Sequence, residues 1–294
     1  MITIIGGTGR LGRLVVAELA AQDLAVRVVA RNRPAGGDGV PFGGLEVGGV
    51  EFVRADVRDP STIAAAVAGS TVVISAINGL DPAAGQSPAD VDRDGNLRLI
   101  AAARDAGAHL VLMSIIGARE DSPIEIARMK AEAERAAREG DGLEWTIIRA
   151  AAFAELWRDV LRQTAGRSGR PTVFGRGENP INVVSVEDVA VAVVRAALDP
   201  ALIGAVIDVG GPRNVTMNEL ATWATGSTRP RHIPRVMLRV GAALSAPLRP
   251  AIARLMQQAL AMDTADLTFD PSRMRAAYPW LPCHDVVGEA ALSV

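Results

Sequence analysis

The sequence predicts an α/β fold, a doubly wound parallel sheet followed by a smaller C-terminal α/β lobe. Three observations predict it. Short apolar runs alternate with helical patterns, a glycine-rich turn follows the first apolar run, and the alternation loosens after residue 150. Strand-length apolar runs separated by helices are typical of βαβ units, which build parallel sheets. We therefore expect one domain over residues 1–150 and a smaller lobe over 151–294, interleaved with it.

The elements of the first domain follow in order. We expect strands at 1–5, 25–30, 50–54, 71–76, 110–114 and 145–149, and helices at 11–22, from 59, 88–106 and 124–139. Asp59 and Pro60 are typical of a helix start, because aspartate caps the first turn and proline tolerates its first position. In the second half, Ser185 and the capping box of Thr216 and Glu219 predict two further helix starts.

Composition limits the class of protein. A formal net charge of −2 argues against a nucleic-acid partner, and no apolar run has the length of a membrane-spanning helix, so we expect no membrane association. The one cysteine, Cys283, cannot form an internal disulfide, and a strand at residue 2 leaves no room for a signal peptide. We therefore expect a cytoplasmic protein. The three histidines lack metal-ligand spacing, which predicts no metal site.

The turn after the first strand carries the strongest functional signal. Its glycines are Gly6, Gly9 and Gly12, directly before an amphipathic helical pattern. Glycines at this spacing let backbone N–H groups approach a pyrophosphate at the positive end of a helix. The context therefore predicts a dinucleotide site in a Rossmann-type domain, rather than a glycine turn without a ligand.

The end of the second strand indicates whether the dinucleotide is NAD(H) or NADP(H). Arg31 and Arg33 stand where an NAD site commonly carries an acid that binds the adenosine ribose hydroxyls. A guanidinium suits the 2′-phosphate of NADP(H), so we expect that cofactor, the alternative being two solvated arginines. Asp56, after the third strand, either accepts a hydrogen bond from the adenine amino group or is an ordinary loop aspartate.

These segments resemble the short-chain dehydrogenase/reductase superfamily and, within it, the atypical NAD(P)H-binding branch that includes the NmrA-like proteins. The resemblance covers nearly the whole chain, through the glycine turn, the segment after Asp56, and later segments at 145–149, 186–190 and 208–212. It implies that Ser114 orients the substrate carbonyl. The cofactor-binding residues that we expect are Gly6, Thr8, Gly9, Arg10, Leu11, Gly12, Arg31, Arg33, Asp56, Val57, Ser75, Ala76 and Lys130.

The chain departs from this family at one catalytic position. The family pairs a tyrosine with a lysine four residues later, and the lysine lowers the tyrosine pKa and holds the nicotinamide ribose. Lys130 fits the lysine, but Ile126 stands at the tyrosine position and has no proton to exchange. Lys130 is the only lysine among 31 basic residues. We interpret it as a specific ribose ligand rather than a surface cation left by chance.

Three functions remain open. The first is an NADPH-dependent oxidoreductase acting on a small carbonyl or enone-type substrate, with the proton coming from water, Ser114 or an unidentified side chain. The second is a non-catalytic binding module that reads the NADPH/NADP ratio and passes it to a protein partner, as the NmrA-like resemblance implies. The third is an assembly or membrane-associated role, which rests only on the arginine-rich stretch 220–262. We interpret that stretch as a helical lid whose arginines face water.

Overall fold

The structure is a computed structural model that describes residues 1–32, 41–42, 45–46, 49–80 and 86–288. A π-helical turn, Ala89–Gly95, leads directly into the third helix. The elements up to residue 139 are β1 (Ile2–Ile5), α1 (Arg10–Ala20), β2 (Val26–Ala30), β3 (Pro41–Phe42), β4 (Leu45–Glu46), β5 (Val50–Arg54), α2 (Pro60–Val67), β6 (Val72–Ser75), α3 (Asn96–Asp105), β7 (His109–Ile115) and α4 (Glu125–Glu139).

Further along the chain the elements are shorter, and two 3₁₀ turns connect them at Gly166–Ser168 and Pro200–Leu202. They are β8 (Trp145–Ala150), β9 (Ala152–Phe153), α5 (Ala154–Ala165), β10 (Thr172–Phe174), β11 (Pro180–Val184), α6 (Val186–Leu198), β12 (Val206–Val209), β13 (Asn214–Thr216), α7 (Met217–Thr225), β14 (Arg231–Ile233), α8 (Arg235–Ser245), α9 (Pro250–Met262) and α10 (Ser272–Ala277).

Seven strands form the central sheet, in the order β12-β8-β7-β6-β1-β2-β5. β1 pairs in parallel with both β2 and β6, and the parallel pairing continues to β5 on one side and β7 on the other. The chain therefore winds outwards from β1 in one direction and then, from β6, in the other. Such a sheet binds ligands at the carboxyl ends of its strands, where the winding reverses. The fold class predicted from the sequence is confirmed.

The strands form because their residues are apolar on both faces of the sheet. All four residues of β1 are buried, and Val29, Val73, Leu110 and Ile147 belong to one core cluster between the sheet and its helices. Continuous apolar runs are typical of parallel strands covered on both faces. The six predicted strands of the first half differ from the observed ones by at most one residue at either end.

The chain divides into two compact units. The first consists of Met1–Glu120, Ile126–Arg149 and Val189–Asp208, and the second of Asp121–Glu125, Ala150–Asp188 and Val209–Val294. The first unit contains the glycine turn and strands β1, β2 and β5 to β8. The second contains a three-stranded sheet in the order β13-β11-β9, the strand pair β10 and β14, and helices α8 and α9.

The arginine-rich stretch of the second unit forms α7, β14, α8 and α9. Arg239 and Arg249 are exposed, whereas Arg235 donates hydrogen bonds to Asp263. Large apolar side chains are exposed here as well, and Leu244 and Leu248 are 74% and 86% exposed. The part of the chain that the structure describes holds no helix that is both long and apolar enough to span a bilayer. The role of this stretch as a lid stays a prediction.

Candidate functional site

The glycine turn is built so tightly that two of its positions have no space for a side chain. Gly6 has a φ of +85°, and a Cβ there would lie 2.7 Å from the carbonyl oxygen of Ala76. A Cβ on Gly12 would lie 2.6 Å from the Cα of Gly7 and would also overlap the carbonyl oxygen of Gly6. The turn can therefore fold against the first residue after β6 only because these positions are glycines.

Gly9 differs from the other two glycines because it faces outwards. It is exposed, its backbone is extended with a φ of −73°, and a Cβ would meet only the Gly6 carbonyl oxygen, at 3.2 Å. Gly9 is also the N-cap of α1, and no side chain among the described residues caps that helix. Unsatisfied N–H groups and the positive end of the helix dipole therefore point out beside Gly9, as a pyrophosphate requires.

A cavity of about 600 Å³ opens at the carboxyl ends of β2 and β5. Three of its lining residues are arginines: Arg31, Arg54 and Arg58. Arg54 donates from Nε to the carbonyl oxygen of Arg31 at 3.1 Å, and Arg31 donates from Nη1 to Gln86 Oε1 at 3.2 Å. The predicted residue Arg33 lies outside the described residues.

Asp56 lies in the same cavity, but its carboxylate is engaged by Arg58. Arg58 donates to both carboxylate oxygens, with Nη2 2.7 Å from Oδ2. These hydrogen bonds from Arg58 hold the pKa of Asp56 below its usual range. Contact with an adenine amino group stays a prediction for Asp56, and it requires the carboxylate to share its oxygens with Arg58.

Two other predicted residues lie at the end of β6, opposite the glycine turn. Ser75 is the last residue of the strand, and Ala76 follows it. The Ser75 hydroxyl is fully buried and donates to Asn96 Oδ1 at 2.6 Å, so it stabilises the interior rather than facing a ligand. Ala76 contributes its backbone, since its N–H donates to Ile5 and its carbonyl oxygen lies against Gly6. Val57 is buried, and its carbonyl oxygen accepts a hydrogen bond from Arg98.

Lys130 is buried on the inner face of α4, where its side chain is 3% exposed. The ammonium donates to the carbonyl oxygens of Met113 at 2.9 Å and Ile77 at 3.1 Å. Its third neighbour is Asp92 Oδ1, at 2.9 Å, in an ion pair whose alignment falls short of a hydrogen bond. An ammonium has three protons, and three acceptors already surround this one. A role for Lys130 at the nicotinamide ribose stays a prediction.

Ser114 ends the buried part of β7 and is 2% exposed. Its hydroxyl has no well-formed hydrogen bond to any described residue, although it lies near enough to Glu134 to help lower the pKa of that carboxyl. Burial alone would raise the Glu134 pKa, but hydrogen bonds from Arg149 and Arg138 outweigh it, and the pKa lies below its usual value. Ser114 therefore carries a buried donor that still has capacity to bond.

The helix α4 carries the position at which the sequence resemblance predicts a tyrosine. Ile126, Lys130 and Glu134 are spaced four residues apart on one face of α4, and all are less than 4% exposed. Residues at this spacing lie one above another on a helix. Isoleucine at the first of the three positions supplies bulk but no proton.

Two polar residues of the site were not predicted from the sequence. Asp92 and Asn96 are fully buried and link to each other through the Asn96 amide, which donates to the Asp92 carbonyl oxygen at 2.7 Å. A signal was available, because Asp92 and Asn96 continue the spacing of the buried residues Leu99 and Ala103. Polar residues on an apolar helix face indicate buried hydrogen bonds or ion pairs.

The residues of the first unit fit a dinucleotide. A side chain would fill the cradle at Gly6 and Gly12, the exposed start of α1 suits a pyrophosphate, and the arginine-lined cavity lies where the adenosine half would extend. This fold and site define the class: a dinucleotide-binding protein with a doubly wound α/β sheet.

Comparison with protein families identifies the dinucleotide. A family model described as NAD(P)H-binding matches residues 6–200. The chain belongs to this NAD(P)H-binding family, and the cofactor that it binds is NAD(P)H.

Several curated proteins are similar to this chain over two thirds or more of its length. An NAD(P)H azoreductase from Xenophilus azovorans is 29% identical over 225 residues, which are 75% of this chain and 71% of that protein. A ceramide reductase from Caulobacter vibrioides is 30% identical over 205 residues, covering 69% of this chain. The match spans 62% of that reductase, which is less than two thirds of its length.

Solved structures share the fold over the full chain. An NADPH-dependent quinone oxidoreductase from Escherichia coli, complexed with NADPH, superposes with a TM-score of 0.72 and 19% identity and covers 100% of this chain and 99% of that one. A nucleoside-diphosphate-sugar epimerase from Staphylococcus aureus gives a TM-score of 0.72 at 18% identity, with 97% of each chain covered.

Proposed function

We propose that the protein is an NADPH-dependent reductase of small carbonyl and enone-type acceptors, and that it favours conjugated acceptors such as enones and quinones. The observation that carries this proposal is Ile126 at the tyrosine position of a site that otherwise keeps Ser114 and Lys130. The azoreductase and the quinone oxidoreductase support it, because their names describe reduction of conjugated acceptors.

The arginines of the cavity support NADPH over NADH. Arg31 reaches the cavity from β2, and Arg54 and Arg58 reach it from the end of β5 and the loop after it. Arg58 is neutralised by Asp56, whereas Arg31 and Arg54 contact neutral acceptors. A 2′-phosphate would therefore meet two guanidinium charges that no described carboxylate balances in an ion pair.

The missing acid favours conjugated acceptors on chemical grounds. When bound, the reduced nicotinamide supplies a hydride. Reduction of an isolated ketone then places charge on an alkoxide, which needs a strong proton donor close by. A quinone instead becomes a phenolate, whose conjugate acid has a pKa of about 10, as for tyrosine. Water can protonate that oxygen after the transfer, so Ile126 does not block the reaction.

Ser114 would orient the acceptor in this scheme. Its buried hydroxyl still has hydrogen-bonding capacity, and a substrate oxygen at the carboxyl end of β7 would satisfy it. A neutral hydroxyl stabilises developing charge on that oxygen without having to transfer its proton.

The test is an acceptor panel assayed by NADPH absorbance. We expect turnover with quinones and enones, and much slower turnover with aliphatic ketones of similar size. Ser114→Ala should lower turnover about tenfold to a hundredfold, the effect of losing one hydrogen bond to a charged oxygen, while NADPH binding is retained. Equal turnover of ketones and quinones would contradict the proposed preference, since it would require an acid close to the acceptor oxygen.

A second candidate is the non-catalytic sensor of the NADPH/NADP ratio. The observation that favours it is the burial of Ile126, Ser114 and Lys130, each at most 3% exposed. A sensor would oxidise NADPH with none of the acceptors. It would bind NADPH and NADP⁺ with different affinities, which calorimetric titration measures directly.

A further inference from the structure

The buried ion pair between Asp92 and Lys130 has no part in the chemistry proposed above. Asp92 is fully buried, and the Lys130 side chain is 3% exposed. Taking two charges out of water costs several kcal/mol for each ion, so a buried ion pair is weak evidence for a role in stability alone. Where the pair makes its other contacts therefore indicates what it holds in place.

Those contacts lie on a single backbone segment. Lys130 donates to the carbonyl oxygen of Ile77, and Asp92 Oδ2 accepts from the N–H of Gly79 at 2.8 Å. The pair thus contacts Ile77 and Gly79, which are two residues apart. Gly79 has no space for a side chain, because a Cβ would lie 2.5 Å from the carbonyl oxygen of Ser87.

The same segment forms one side of the glycine cradle. Its first residue, Ala76, places its carbonyl oxygen against Gly6, and Ile77 Cγ2 would lie 3.5 Å from a Cβ on Gly6. A shift of the segment would therefore change the space beside the phosphate turn directly. Lys130 also donates to the carbonyl oxygen of Met113 in β7. Lys130 therefore connects the segment to a strand of the central sheet.

The helix geometry around Asp92 serves the same contact. Asp92 lies in the π-helical turn Ala89–Gly95, and its carbonyl oxygen accepts from Asn96, which in turn bonds Ser75 at the end of β6. π-Helical turns are rare and are frequently found at functional sites. Here the turn brings a carboxylate between Lys130 and Gly79 and ties it to the same strand that leads into the segment.

We propose that Asp92 and Lys130 are positioning residues: their ion pair sets the Ala76–Gly79 segment as the second wall of the dinucleotide cradle, opposite the glycine turn. Lys130 then acts on the cofactor through the backbone of Ile77 rather than by holding the ribose. This inference rests on the dinucleotide site described above and assigns it two residues that bind no part of the cofactor themselves.

The test compares two ligands that depend differently on this wall. Asp92→Asn keeps an acceptor for Gly79 but removes the charge facing Lys130. We expect NADPH affinity to fall about tenfold or more, because the nicotinamide half and the phosphate next to it would lie along the segment. The fragment 2′,5′-ADP carries the 2′-phosphate and the adenosine-side phosphate but lacks the nicotinamide half, so its affinity should stay within about twofold. Both affinities are measured by titration calorimetry below the melting temperature of the variant.

Two further variants complete the test. Asp94→Asn, in the same π-helical turn but 36% exposed and paired with Arg93, is the matched control and should leave both affinities unchanged. If Asp92→Asn does not fold, Asp92→Asn/Lys130→Gln removes both charges together, and we expect the same divergence between the two ligands.

Each alternative gives a different result. Equal losses for NADPH and 2′,5′-ADP would mean general destabilisation and would overturn the positioning role, as would unchanged binding of both. A large NADPH loss in Lys130→Gln with none in Asp92→Asn would assign the lysine to the ribose directly, against this inference. A wild-type protein that binds neither ligand would instead overturn the proposed cofactor site.

Discussion

Ile126 and Lys130 lie one helical turn apart on the buried face of α4, so one face carries both positions of the tyrosine–lysine pair that the resemblance predicts. With isoleucine at residue 126, the lysine is held by Asp92 and two carbonyl oxygens. These contacts occupy the ammonium without a tyrosine nearby, so the presence of Lys130 is not evidence of a proton relay.

A tyrosine at residue 126 distinguishes the reductase hypothesis from the sensor hypothesis. Ile126→Tyr would place a hydroxyl one turn before Lys130, and general acid catalysis contributes about 10²–10⁴-fold. A reductase should gain turnover on aliphatic ketones, measured by NADPH absorbance. Because Ile126 is 3% exposed, the larger ring should also cost about 1–3 kcal/mol of stability.

Ile126→Phe is the control for that variant, since it adds the ring without the hydroxyl. It should lose the same stability and gain no ketone turnover. A gain by phenylalanine as large as that by tyrosine would show that the effect comes from packing, against the acid role of the position.

Arg31 gives the second prediction at this scale. Arg31→Ala should weaken NADPH binding by about 1.5–3 kcal/mol, or roughly tenfold to a hundredfold, and leave NADH binding unchanged. Arg104→Ala, an exposed arginine paired with Asp105 on the end of α3, is the control and should change neither affinity. The variant Arg31→Ala/Arg33→Ala extends the test to the second predicted arginine. Unaltered discrimination between the cofactors in the double variant would contradict NADP(H) recognition at this strand end.

At the scale of elements, the strands were predictable and the π-helical turn was not. Apolar runs of five or six residues between polar turns predicted six strands of the first half to within one residue at either end. The predicted helix over 88–106 is a π-helical turn, Ala89–Gly95, followed by α3. A change from five-residue to four-residue hydrogen bonding over a single turn leaves no clear mark in hydrophobic spacing.

The glycine turn predicts opposite behaviour for two of its members. Gly9→Val puts a branched side chain into the anion site, but its Cβ meets only the Gly6 carbonyl oxygen at 3.2 Å. The variant should fold with a melting temperature near that of the wild type and bind neither NADPH nor NADH. Gly12→Ala should instead lower the melting temperature, because its Cβ overlaps the turn itself. Saturable NADPH binding by Gly9→Val would place the cofactor elsewhere.

A buried histidine between two strands predicts a pH dependence of stability. His109 Nε2 lies 2.9 Å from the Thr146 hydroxyl, which donates its own proton to Leu202, so Nε2 must be the donor to Thr146. Burial lowers the His109 pKa below its usual value of about 6.5. The unfolded chain then binds a proton that the folded chain does not, and stability falls as the pH drops below about 6.5 towards the folded-state pKa.

Melting temperatures between pH 7.5 and 5 measure this effect. We expect His109→Gln, which keeps a donor to Thr146 but cannot titrate, to lose less stability over that range than the wild type. Parallel curves for wild type and His109→Gln would contradict the assignment.

At the scale of the whole molecule, alternation of strand and helix predicted the sheet and the place of the phosphate turn, but not the wall opposite it. The spacing of Gly6, Gly9 and Gly12 in the sequence indicates a phosphate turn. The contact between Asp92 and Gly79 leaves no such pattern, because it exists only in the folded chain. The second unit was less predictable for a related reason. Its sheets contain two to three strands of two to five residues, too short for a clear apolar period.

The burial of Lys130 has a consequence for the chemistry of the protein surface. Because this is the only lysine, amine-reactive esters have no side-chain target while the first unit stays closed. The rate of Lys130 acylation, measured by mass spectrometry of its peptide, therefore reports how often that unit opens locally. Bound NADPH should slow the reaction in proportion to its stabilisation of the closed state, by about a hundredfold at 100 times its dissociation constant. An acylation rate near that of a free lysine, and indifferent to NADPH, would mean that the amine is not enclosed.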